Sequence, residues 1–480
     1  MIVKRFFDQK VAQTSYLIGC GRKGVAIVVD PNRDIAKYVE MAAAEKVRIA
    51  HVTETHIHAD FLSGARDLAR ATGAQLHLSD EGDAAWKYAY AASDGAHLVR
   101  DGDTIMVGNV RVTVVHTPGH TPEHISFLVT DTAAADEPIG ICTGDFVFVG
   151  DVGRPDLLER AAKVAGTMEA SARTLYRSLE KFKQYPDWLQ VWPGHGAGSA
   201  CGKGLSSVPH STVGYEKRFN WAFSVANENA FVAAVLEGQP EPPKYFAMMK
   251  KLNKEGPAPF DAARQPRAAT LADVQAALTA GTPVMDTRRT ADFAAAHVPG
   301  TFNVPRSQSF VSYAGWFVPY DRDLMLITTD DAATREAVAD LALIGVDRVA
   351  AAAPASIIDQ LRAQGGAVGS IEQLSPAEAS ARVASGAGAI VDVRGRSEWE
   401  GERIEGTPNV IYGQIADRLA ELPKASTIIL QCESGSRSAI AASVLASRGV
   451  TNVAQLVGGI TAWEAAGLPV EHPLPATSVA

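Results

Sequence analysis

The sequence is poor in cysteine and contains no long apolar run. Only four cysteines occur in 480 residues, and their scattered positions exclude a disulfide-stapled framework and predict free thiols in a reducing compartment. No stretch approaches the roughly 20 apolar residues of a membrane-spanning helix. The first ten residues lack the apolar core of a secretory signal. We therefore expect a soluble, cytoplasmic protein with no membrane segment.

Basic residues are also in the minority, since 45 Lys and Arg stand against 54 Asp and Glu. The formal charge of −9 argues against a nucleic-acid-binding surface, which would need a basic stripe. With 46% hydrophobic and 21% charged residues, the composition is that of a globular chain. At roughly 150 residues per domain, the length predicts about three domains.

Residues 1–237 alternate short apolar runs with turns and helical stretches, which is typical of a layered α/β domain. Val110–His116 and Ile125–Val129 are typical strand segments. Residues 238–267 contain six of the 25 prolines. We predict that this stretch is an irregular linker, poor in helix and strand, that wraps onto its neighbour.

An internal repeat of roughly 100 residues follows the linker. Leu271–Gly281 and Leu374–Gly386 are both short amphipathic helical segments, and each is followed by an apolar strand that ends in Asp-x-Arg. We therefore expect two related α/β domains, over residues 268–365 and 372–480.

Histidine and aspartate recur in turns that follow apolar runs of the first domain. Such turns bend the backbone sharply and present side chains at the edge of a sheet. Neutral imidazoles and carboxylates that converge there suit zinc or iron. The residues in question are His56, His58 and Asp60 in Thr-His-Ile-His-Ala-Asp, His120 and His195 in Pro-Gly-His, and Asp145 in Gly-Asp.

The other histidines of this region have no such context. A single histidine in a strand is more often a satisfied core or surface residue than a ligand. We therefore predict no function for a further set, which comprises His51, His77, His97, His116, His124 and His210.

These motifs resemble those of the metallo-β-lactamase superfamily, whose fold is an αββα sandwich with its metal site at one edge. The usual His-x-His-x-Asp-His motif ends here in Phe61. In dizinc hydrolases of the superfamily that last histidine helps to hold a second metal, so its replacement favours a single metal. The segments Gly144–Asp156 and Ser211–Arg218 are most similar to the persulfide dioxygenase branch.

That resemblance implies one Fe(II) per chain and a reaction of thiol persulfide with O2 and water that gives thiol and sulfite. Two histidines and one carboxylate leave coordination positions open, as in non-haem Fe(II) oxygenases. The implied metal ligands are His56, His120 and Asp145, and the residues that would orient ligands and waters are His58, Asp60 and His195.

Cys201 lies in a Gly-rich loop after the second Pro-Gly-His turn. Its context resembles fusions of a persulfide dioxygenase with rhodanese domains from bacterial sulfide detoxification. This resemblance implies a catalytic thiol that relays sulfane sulfur, with Lys203 nearby to favour the thiolate. A small buried structural thiol is the alternative. Arg154, Lys203, Tyr215 and Arg218 are candidates for holding an anionic thiol carrier.

The second repeat carries an apolar strand that delivers Cys432 into a short loop before a helix. Backbone N–H groups and the helix dipole favour a thiolate, and then a persulfide, at such a place. The loop resembles that of rhodanese sulfurtransferases, which implies that Cys432 accepts sulfur and that Arg437 shapes the loop. Glu433 stands where many relatives carry a basic residue, which disfavours thiosulfate as the donor.

The first repeat resembles the same fold but has Asp330 where the cysteine would stand. We expect an inactive rhodanese-like domain that spaces or docks its neighbours. The overall prediction is a persulfide dioxygenase fused to a sulfurtransferase that converts sulfite to thiosulfate, and the same resemblance implies a homo-oligomer. The reverse flow, from thiosulfate to a thiol persulfide that feeds the iron, remains open. Glutathione, coenzyme A and bacillithiol remain open as the carrier thiol. The alternatives are a zinc thioester hydrolase of the glyoxalase II kind with an attached sulfurtransferase, and a non-catalytic sulfur carrier or redox sensor.

Overall fold

The computed structural model describes residues 1–162, 166–261 and 263–473. They form two compact units: unit 1 comprises residues 1–261 with 342–345, and unit 2 comprises the remainder. Small parts of the predicted domains lie outside the described residues, namely 163–165, 262 and 474–480. Among the described residues, no helix is long and apolar enough to cross a membrane.

The first sheet of unit 1 has six strands in the order β1-β2-β3-β4-β5-β6. Strands β1 to β3 pair antiparallel, and β3 to β6 pair parallel. The strands are β1 (Ile2–Asp8), β2 (Gln13–Cys20), β3 (Val25–Val29), β4 (Arg48–Thr53), β5 (Gln75–Ser79) and β6 (His97–Val99). The helices α1 (Ala36–Ala44) and α2 (Ala65–Thr72) make the connections from β3 to β4 and from β4 to β5, and a short 3-10 helix covers Ala84–Trp86.

The second sheet of unit 1 has the order β12-β11-β10-β9-β8-β7. Its strands are β7 (Thr104–Val107), β8 (Val110–His116), β9 (Ile125–Asp131), β10 (Gly140–Gly144), β11 (Gln190–Pro193) and β12 (Ser211–Thr212). The helices in this part of the chain are α3 (Leu157–Ala162), α4 (Met168–Phe182), α5 (Val213–Phe219), α6 (Trp221–Ser224), α7 (Glu228–Leu236) and α8 (Tyr245–Glu255).

Apolar side chains of the two sheets meet in one core, which makes unit 1 a sandwich. Ile18 and Ile27 of the first sheet share this core with Val112 and Phe127 of the second. Helices α1 and α2 cover the outer face of the first sheet, and α4 and α7 cover the outer face of the second. This order of layers agrees with the predicted αββα arrangement.

The expectation of an irregular linker over residues 238–267 is wrong for its middle part. Eleven of these residues form α8, which buries Tyr245, Phe246 and Met249 against unit 1. The prolines flank this helix instead of interrupting it, so they limit its length without preventing its formation. The segment is therefore a structural part of unit 1.

Unit 2 contains two sheets of parallel strands, and the first has the order β13-β17-β16-β14-β15. Its strands are β13 (Arg267–Ala268), β14 (Val284–Asp286), β15 (Phe302–Asn303), β16 (Leu324–Thr328) and β17 (Val349–Pro354). Its helices are α9 (Leu271–Thr279), α10 (Thr290–Ala295), α11 (Phe310–Ala314), α12 (Asp331–Ala342) and α13 (Ile357–Ala363).

The second sheet of unit 2 has the order β18-β22-β21-β19, and β20 pairs separately with β23. The strands are β18 (Glu372–Leu374), β19 (Gly388–Asp392), β20 (Arg403–Ile404), β21 (Thr427–Gln431), β22 (Val453–Leu456) and β23 (Val470–Glu471). The helices are α14 (Pro376–Ala384), α15 (Arg396–Gly401), α16 (Ser436–Ser447) and α17 (Gly459–Ala465), with 3-10 turns at Tyr412–Gln414 and Leu419–Glu421.

Candidate metal centre and sulfur-transfer loop

The side chains of His56, His120 and Asp145 converge beyond the carboxyl ends of β4, β8 and β10. One potential ligand atom of each residue lies within 4.8 Å of the other two, and all three residues are buried. The Asp145 Oδ2 atom is 3.9 Å from His56 Nε2 and 3.5 Å from His120 Nε2. The three residues predicted as metal ligands are therefore brought together by the fold.

Hydrogen bonds on the far side of each imidazole set its tautomer. The His120 Nδ1 atom is 3.0 Å from the Arg154 carbonyl oxygen, which can only accept, so Nδ1 carries the proton. The Thr55 hydroxyl donates to Asp30 Oδ2 at 2.9 Å and is 2.9 Å from His56 Nδ1, from which it accepts. Both Nε2 atoms therefore present a lone pair to the space beside Asp145.

The electrostatics of this cluster fit a divalent cation. His56 Nε2 and both Asp145 oxygens are buried and have no hydrogen-bond partner among the described residues. Burial lowers the pKa of His56 and of His120, which keeps both rings neutral. Burial would raise the pKa of Asp145, but the neighbouring His195, His56 and His120 outweigh it and hold that pKa well below its usual range. Two neutral imidazoles and an ionised, buried carboxylate are a metal donor set.

Asp30 contacts both Thr55, whose hydroxyl holds His56, and His58. Asp30 Oδ1 accepts the Thr55 backbone N–H at 2.6 Å and lies 3.1 Å from His58 Nε2. Burial lowers the pKa of His58, but the charge and hydrogen bond of Asp30 outweigh it and raise that pKa to about 9. Asp30 has a φ of 52°, a left-handed conformation rare outside glycine and typical of functional sites. A continuous chain of contacts therefore runs from His58 through Asp30 and Thr55 to His56.

A second buried cluster comprises Asp60, His195 and Cys201, whose potential ligand atoms also lie within 4.8 Å of one another. His195 Nε2 is 3.1 Å from Asp60 Oδ2 and 3.3 Å from Asp145 Oδ1. His195 Nδ1 donates to the Ala12 carbonyl oxygen at 2.9 Å. His195 therefore contacts one carboxylate of each cluster. Cys201 belongs to the second cluster.

The expectation that Lys203 favours a Cys201 thiolate is wrong. The Lys203 ammonium donates to the Ala234 carbonyl oxygen, and its backbone N–H donates to Asp151. Burial raises the pKa of Cys201 to about 12, Asp60 acts in the same direction, and the opposing effect of a neighbouring histidine is smaller. The metal-free thiol is therefore protonated at neutral pH.

Arg154 is also placed differently from the expectation that it grips a substrate. Its side chain is fully buried, and it holds Asp156 through Nε at 3.0 Å and Nη2 at 2.7 Å. Nη1 donates to the Ala200 carbonyl oxygen, and Nη2 also donates to that of Pro240. Four of the five N–H groups are therefore used within the protein and the side chain is buried, so Arg154 contributes structurally, through these bonds and the carbonyl that holds His120.

Tyr215 and Arg218 lie on the exposed side of α5, where a surface pocket of about 540 Å³ opens beside Tyr215 and Phe219. The Arg218 guanidinium lies 5.4 Å from the centre of the Phe219 ring. Val149 and Gly150, from the hairpin that follows Asp145, form part of the same pocket. Its volume is in the range of small-molecule sites.

His124, to which the sequence assigned no function, belongs to the centre. It is fully buried, its Nε2 accepts the Asp145 backbone N–H at 3.1 Å, and its Nδ1 lies 2.8 Å from the Thr117 hydroxyl. Asp30 was missed as well, although its position directly after the apolar strand β3 is a detectable signal. Their contacts with Thr55, His58 and Asp145 each join residues more than twenty positions apart, so spacing alone could not reveal them.

The Cys432 sulfur lies at the amino-terminal end of α16, as the sequence predicted. Its Sγ accepts the backbone N–H groups of Gly435 at 3.2 Å and Ser438 at 3.4 Å. Gly435 has a φ of 101°, which a side chain would disfavour. The backbone therefore forms a cradle for negative charge on sulfur.

Arg437 is held beside this loop by Glu398. Its two terminal nitrogens donate to the Glu398 oxygens, both at 2.7 Å. Burial lowers the pKa of Arg437, but the Glu398 contacts outweigh it and raise that pKa. Glu433 is about half exposed and lies 3.4 Å from Arg394. Arg437 is therefore fixed beside the Cys432 loop, in a position from which it could shape that loop. The Glu433 carboxylate lies on the exposed rim of the same loop.

Comparison with known proteins identifies both parts of the chain. The pattern of the metallo-beta-lactamase superfamily matches residues 9–195, and that of the rhodanese-like domain matches residues 375–466. A crystal structure of a metallo-beta-lactamase from Staphylococcus aureus is 43% identical, covers 74% of this chain and 99% of its own, and has a TM-score of 0.68. The chain therefore belongs to the metallo-β-lactamase superfamily and carries a C-terminal rhodanese-like domain.

Two curated relatives differ in the chemistry that their names state. The human mitochondrial persulfide dioxygenase is 26% identical over 198 residues, which are 41% of this chain and 68% of that protein. A hydroxyacylglutathione hydrolase from Rhodospirillum rubrum is 30% identical over 182 residues, which are 38% of this chain and 60% of that protein. The superfamily and the His–Asp cluster imply a metal, and both relatives belong to enzyme families.

Proposed function

We propose that unit 1 is a persulfide dioxygenase with one Fe(II) held by His56, His120 and Asp145. The observation that carries this proposal is the convergence of two Nε2 lone pairs with one buried carboxylate whose oxygens make no hydrogen bond among the described residues. Such a set leaves open positions and is typical of non-haem Fe(II) oxygenases. Phe61 supports a mononuclear site, because it replaces a histidine with an apolar ring.

The bound Fe(II) would supply redox chemistry between the persulfide and O2. The balanced reaction is R-S-SH + O2 + H2O → R-SH + H2SO3. The chain holds the ligands in place through the Arg154 carbonyl and the Thr55 hydroxyl. Phe61 packs on His58 with ring centres 4.3 Å apart, and Phe148 packs on an imidazole of the second cluster at 5.9 Å. These buried rings exclude water from the centre.

We further propose that Cys201 receives sulfane sulfur at this centre, by Cys-SH + R-S-SH → Cys-S-SH + R-SH. Its place in one buried cluster with Asp60 and His195 supports this role. The pocket beside Tyr215 and Phe219 is proposed to receive part of the carrier thiol, which is glutathione, coenzyme A or a similar molecule. Arg218, which lies over the Phe219 ring, is proposed to help hold its negative charge.

The rhodanese-like domain is proposed to transfer sulfur through Cys432. A persulfide on this residue would give thiosulfate by Cys-S-S⁻ + SO3²⁻ → Cys-S⁻ + S2O3²⁻. The N–H groups of Gly435 and Ser438 would hold the leaving thiolate. Glu433 on the rim disfavours binding of dianionic thiosulfate, which favours this direction over the reverse.

The first half of unit 2 is proposed to be a second, inactive rhodanese-like domain. Asn303 Nδ2 donates to the Arg288 carbonyl oxygen at 2.9 Å, and Asn409 Nδ2 makes the matching bond to Arg394 at 2.9 Å. Where the cysteine would stand, Asp330 accepts a backbone N–H at 2.8 Å and caps α12. The two halves of unit 2 thus share this hydrogen bond, but the first half has no cysteine at the matching place. It is therefore proposed to dock or space other parts and not to transfer sulfur.

Contacts within unit 2 support docking of this half against the sulfur-transfer half. The Ser443 hydroxyl on α16 accepts the Asn303 backbone N–H at 2.8 Å. Trp316 and Phe317 pack on Tyr412 with ring centres 5.6 Å and 6.1 Å apart. The helix that begins at the Cys432 loop is therefore braced by the half that has no cysteine.

The decisive experiment measures oxygen uptake by anaerobically purified protein after addition of glutathione, coenzyme A or bacillithiol persulfide, with iron and zinc counted on the same sample. We expect O2 uptake with about one iron per chain. Zinc content without uptake, together with hydrolysis of a glutathione thioester, would overturn the dioxygenase in favour of the glyoxalase II-like hydrolase. If sulfur loads onto Cys432 but neither oxygen uptake nor thioester hydrolysis is found, the protein would instead be a non-catalytic sulfur carrier or a redox sensor.

The coupling of the two sites is tested with Cys432→Ser. Oxygen uptake should be unchanged, and sulfite should accumulate in place of thiosulfate. The matched control is Cys20→Ala, which changes a buried cysteine of unit 1 and should leave thiosulfate formation intact. Unchanged thiosulfate in Cys432→Ser would contradict the proposed transfer.

A further inference from the structure

The loop between β4 and α2 carries His58 and Asp60 on irregular backbone, since residues 54–62 form neither a helix nor a strand. His58 Nε2 lies 3.1 Å from Asp30 Oδ1, and Asp60 Oδ2 lies 3.1 Å from His195 Nε2. A loop lacks the repeating hydrogen bonds of a helix or a sheet, so its backbone groups must find partners elsewhere. The positions of both side chains therefore depend on the groups that hold this loop.

A single side chain from α8 supplies three of the hydrogen bonds that hold the loop. Asn253 Nδ2 donates to the His58 carbonyl oxygen and to the Phe61 carbonyl oxygen, both at 2.8 Å. Its Oδ1 accepts the Ser63 backbone N–H at 2.9 Å. One planar amide therefore fixes the backbone on both sides of Asp60.

The Asn253 amide is itself held firmly in place. It lies in the last turn of α8 and is 1% exposed. Because both amide hydrogens and the amide oxygen are used in the same loop, rotation of the side chain would break buried hydrogen bonds. Asn253 therefore connects a packed helix to the loop through a rigid group.

Two routes of contacts lead from this loop to the metal ligands. From His58, a chain of hydrogen bonds reaches the ligand His56. From Asp60, contacts of the His195 imidazole reach the ligand Asp145. A displacement of the loop backbone would therefore reach two of the three ligands.

We propose that Asn253 is a positioning residue for the metal centre, which it serves by fixing the backbone that carries His58 and Asp60. The inference rests on the proposed function in one respect, because it needs a metal bound at the His56 centre. It assigns to α8 a part in metal binding, in addition to its packing against unit 1.

The test substitutes Asn253→Asp in the full-length chain, which preserves the shape of the side chain and removes its N–H donors. Whether ionised or protonated, a carboxyl group can donate at most one hydrogen bond, so at least one of the two carbonyl oxygens loses its partner. Affinity for Co²⁺ is measured on the metal-free protein by competition with a chelator. We expect binding at least about 10-fold weaker than in wild type, the lower end of the effect of residues behind metal ligands.

The matched control is Asn303→Asp in unit 2. Asn303 is also 1% exposed, and its Nδ2 likewise donates to two backbone carbonyl oxygens, those of Asp286 at 2.8 Å and Arg288 at 2.9 Å. The control should lose stability in chemical denaturation but bind Co²⁺ as tightly as wild type. The visible absorption spectrum of bound Co²⁺, which reports ligand geometry, should change in Asn253→Asp alone.

Asn253→Ser is measured as a second variant, because it shortens the side chain without adding a charge and keeps the test open if Asn253→Asp does not fold. Wild-type affinity and spectrum in a folded Asn253 variant, or equal changes in the control, would overturn the proposal. The proposed function fails separately. Zinc content without oxygen uptake would contradict the dioxygenase, whereas the Co²⁺ comparison needs neither iron nor O2.

Discussion

Replacement of Thr55 by valine should weaken metal binding at the candidate centre while it preserves the shape of the site. The Thr55 hydroxyl accepts the His56 Nδ1–H and donates to Asp30 Oδ2, both at 2.9 Å. Valine has nearly the same volume but can make neither bond. His56 would then lose the contact that directs its Nε2 lone pair towards Asp145.

The magnitude follows from the two lost hydrogen bonds. Loss of the group behind a metal-ligating histidine typically costs about 10–100-fold in metal affinity, which is about 1.4–2.8 kcal/mol. The same substitution leaves a buried N–H and a buried carboxylate oxygen unpaired in the metal-free protein. Each such atom costs about 1–3 kcal/mol of the free energy of unfolding. Both effects should therefore be measurable.

The assay is competition with a chelator under anaerobic conditions, combined with chemical denaturation of the metal-free protein. The matched control is Thr53→Val on the same strand, because the Thr53 hydroxyl is buried and donates to the His77 carbonyl oxygen at 3.1 Å. The control should lose stability but keep its affinity for the metal at the His56 centre. Equal metal affinity in the two variants would refute the reasoning, because orientation of His56 by Thr55 would then have no effect.

Two further substitutions probe unit 2. Glu398→Gln removes the carboxylate that holds Arg437. Loss of a hydrogen bond to a charged group costs about 1.5–3 kcal/mol, so thiosulfate formation should fall by about 10-fold or more while oxygen uptake stays constant. The control is Glu400→Gln, at an exposed ion pair of the same helix. Gly413→Ala places a methyl group into the Trp316 ring, so the free energy of unfolding should fall by about 1–3 kcal/mol in chemical denaturation.

The controls decide whether these effects are local. Equal losses of thiosulfate formation in Glu398→Gln and Glu400→Gln would show that the Arg437 contact does not shape the sulfur loop. For the glycine, the control is Gly401→Ala, where an added methyl group would meet no heavy atom within 4 Å. A Gly413→Ala protein as stable as this control would contradict the predicted overlap with Trp316.

Local sequence was sufficient to single out the candidate ligands and the candidate thiol. His56, His120 and Asp145 stand in turns directly after apolar strands, and the Cys432 loop opens onto a helix. In each case the chemistry depends on residue type and on a short backbone geometry that neighbouring residues determine. The family comparisons confirm the metallo-β-lactamase fold and the C-terminal rhodanese-like domain, whereas the assignment of iron and of a second rhodanese-like domain stays a prediction.

Tertiary structure decided what surrounds those groups. Asp30 meets the metal motif because the parallel strands β3 and β4 end at the same edge of the sandwich. His124 meets it because antiparallel pairing puts the start of β9 beside the end of β10. Arg154 is buried among loops, where it donates to the carbonyl oxygens of Ala200 and Pro240. Asn253 donates to the His58 carbonyl oxygen although 195 positions separate the two residues. Such contacts join residues that are more than twenty positions apart and depend on how strands and loops pack, which local pattern and composition do not encode.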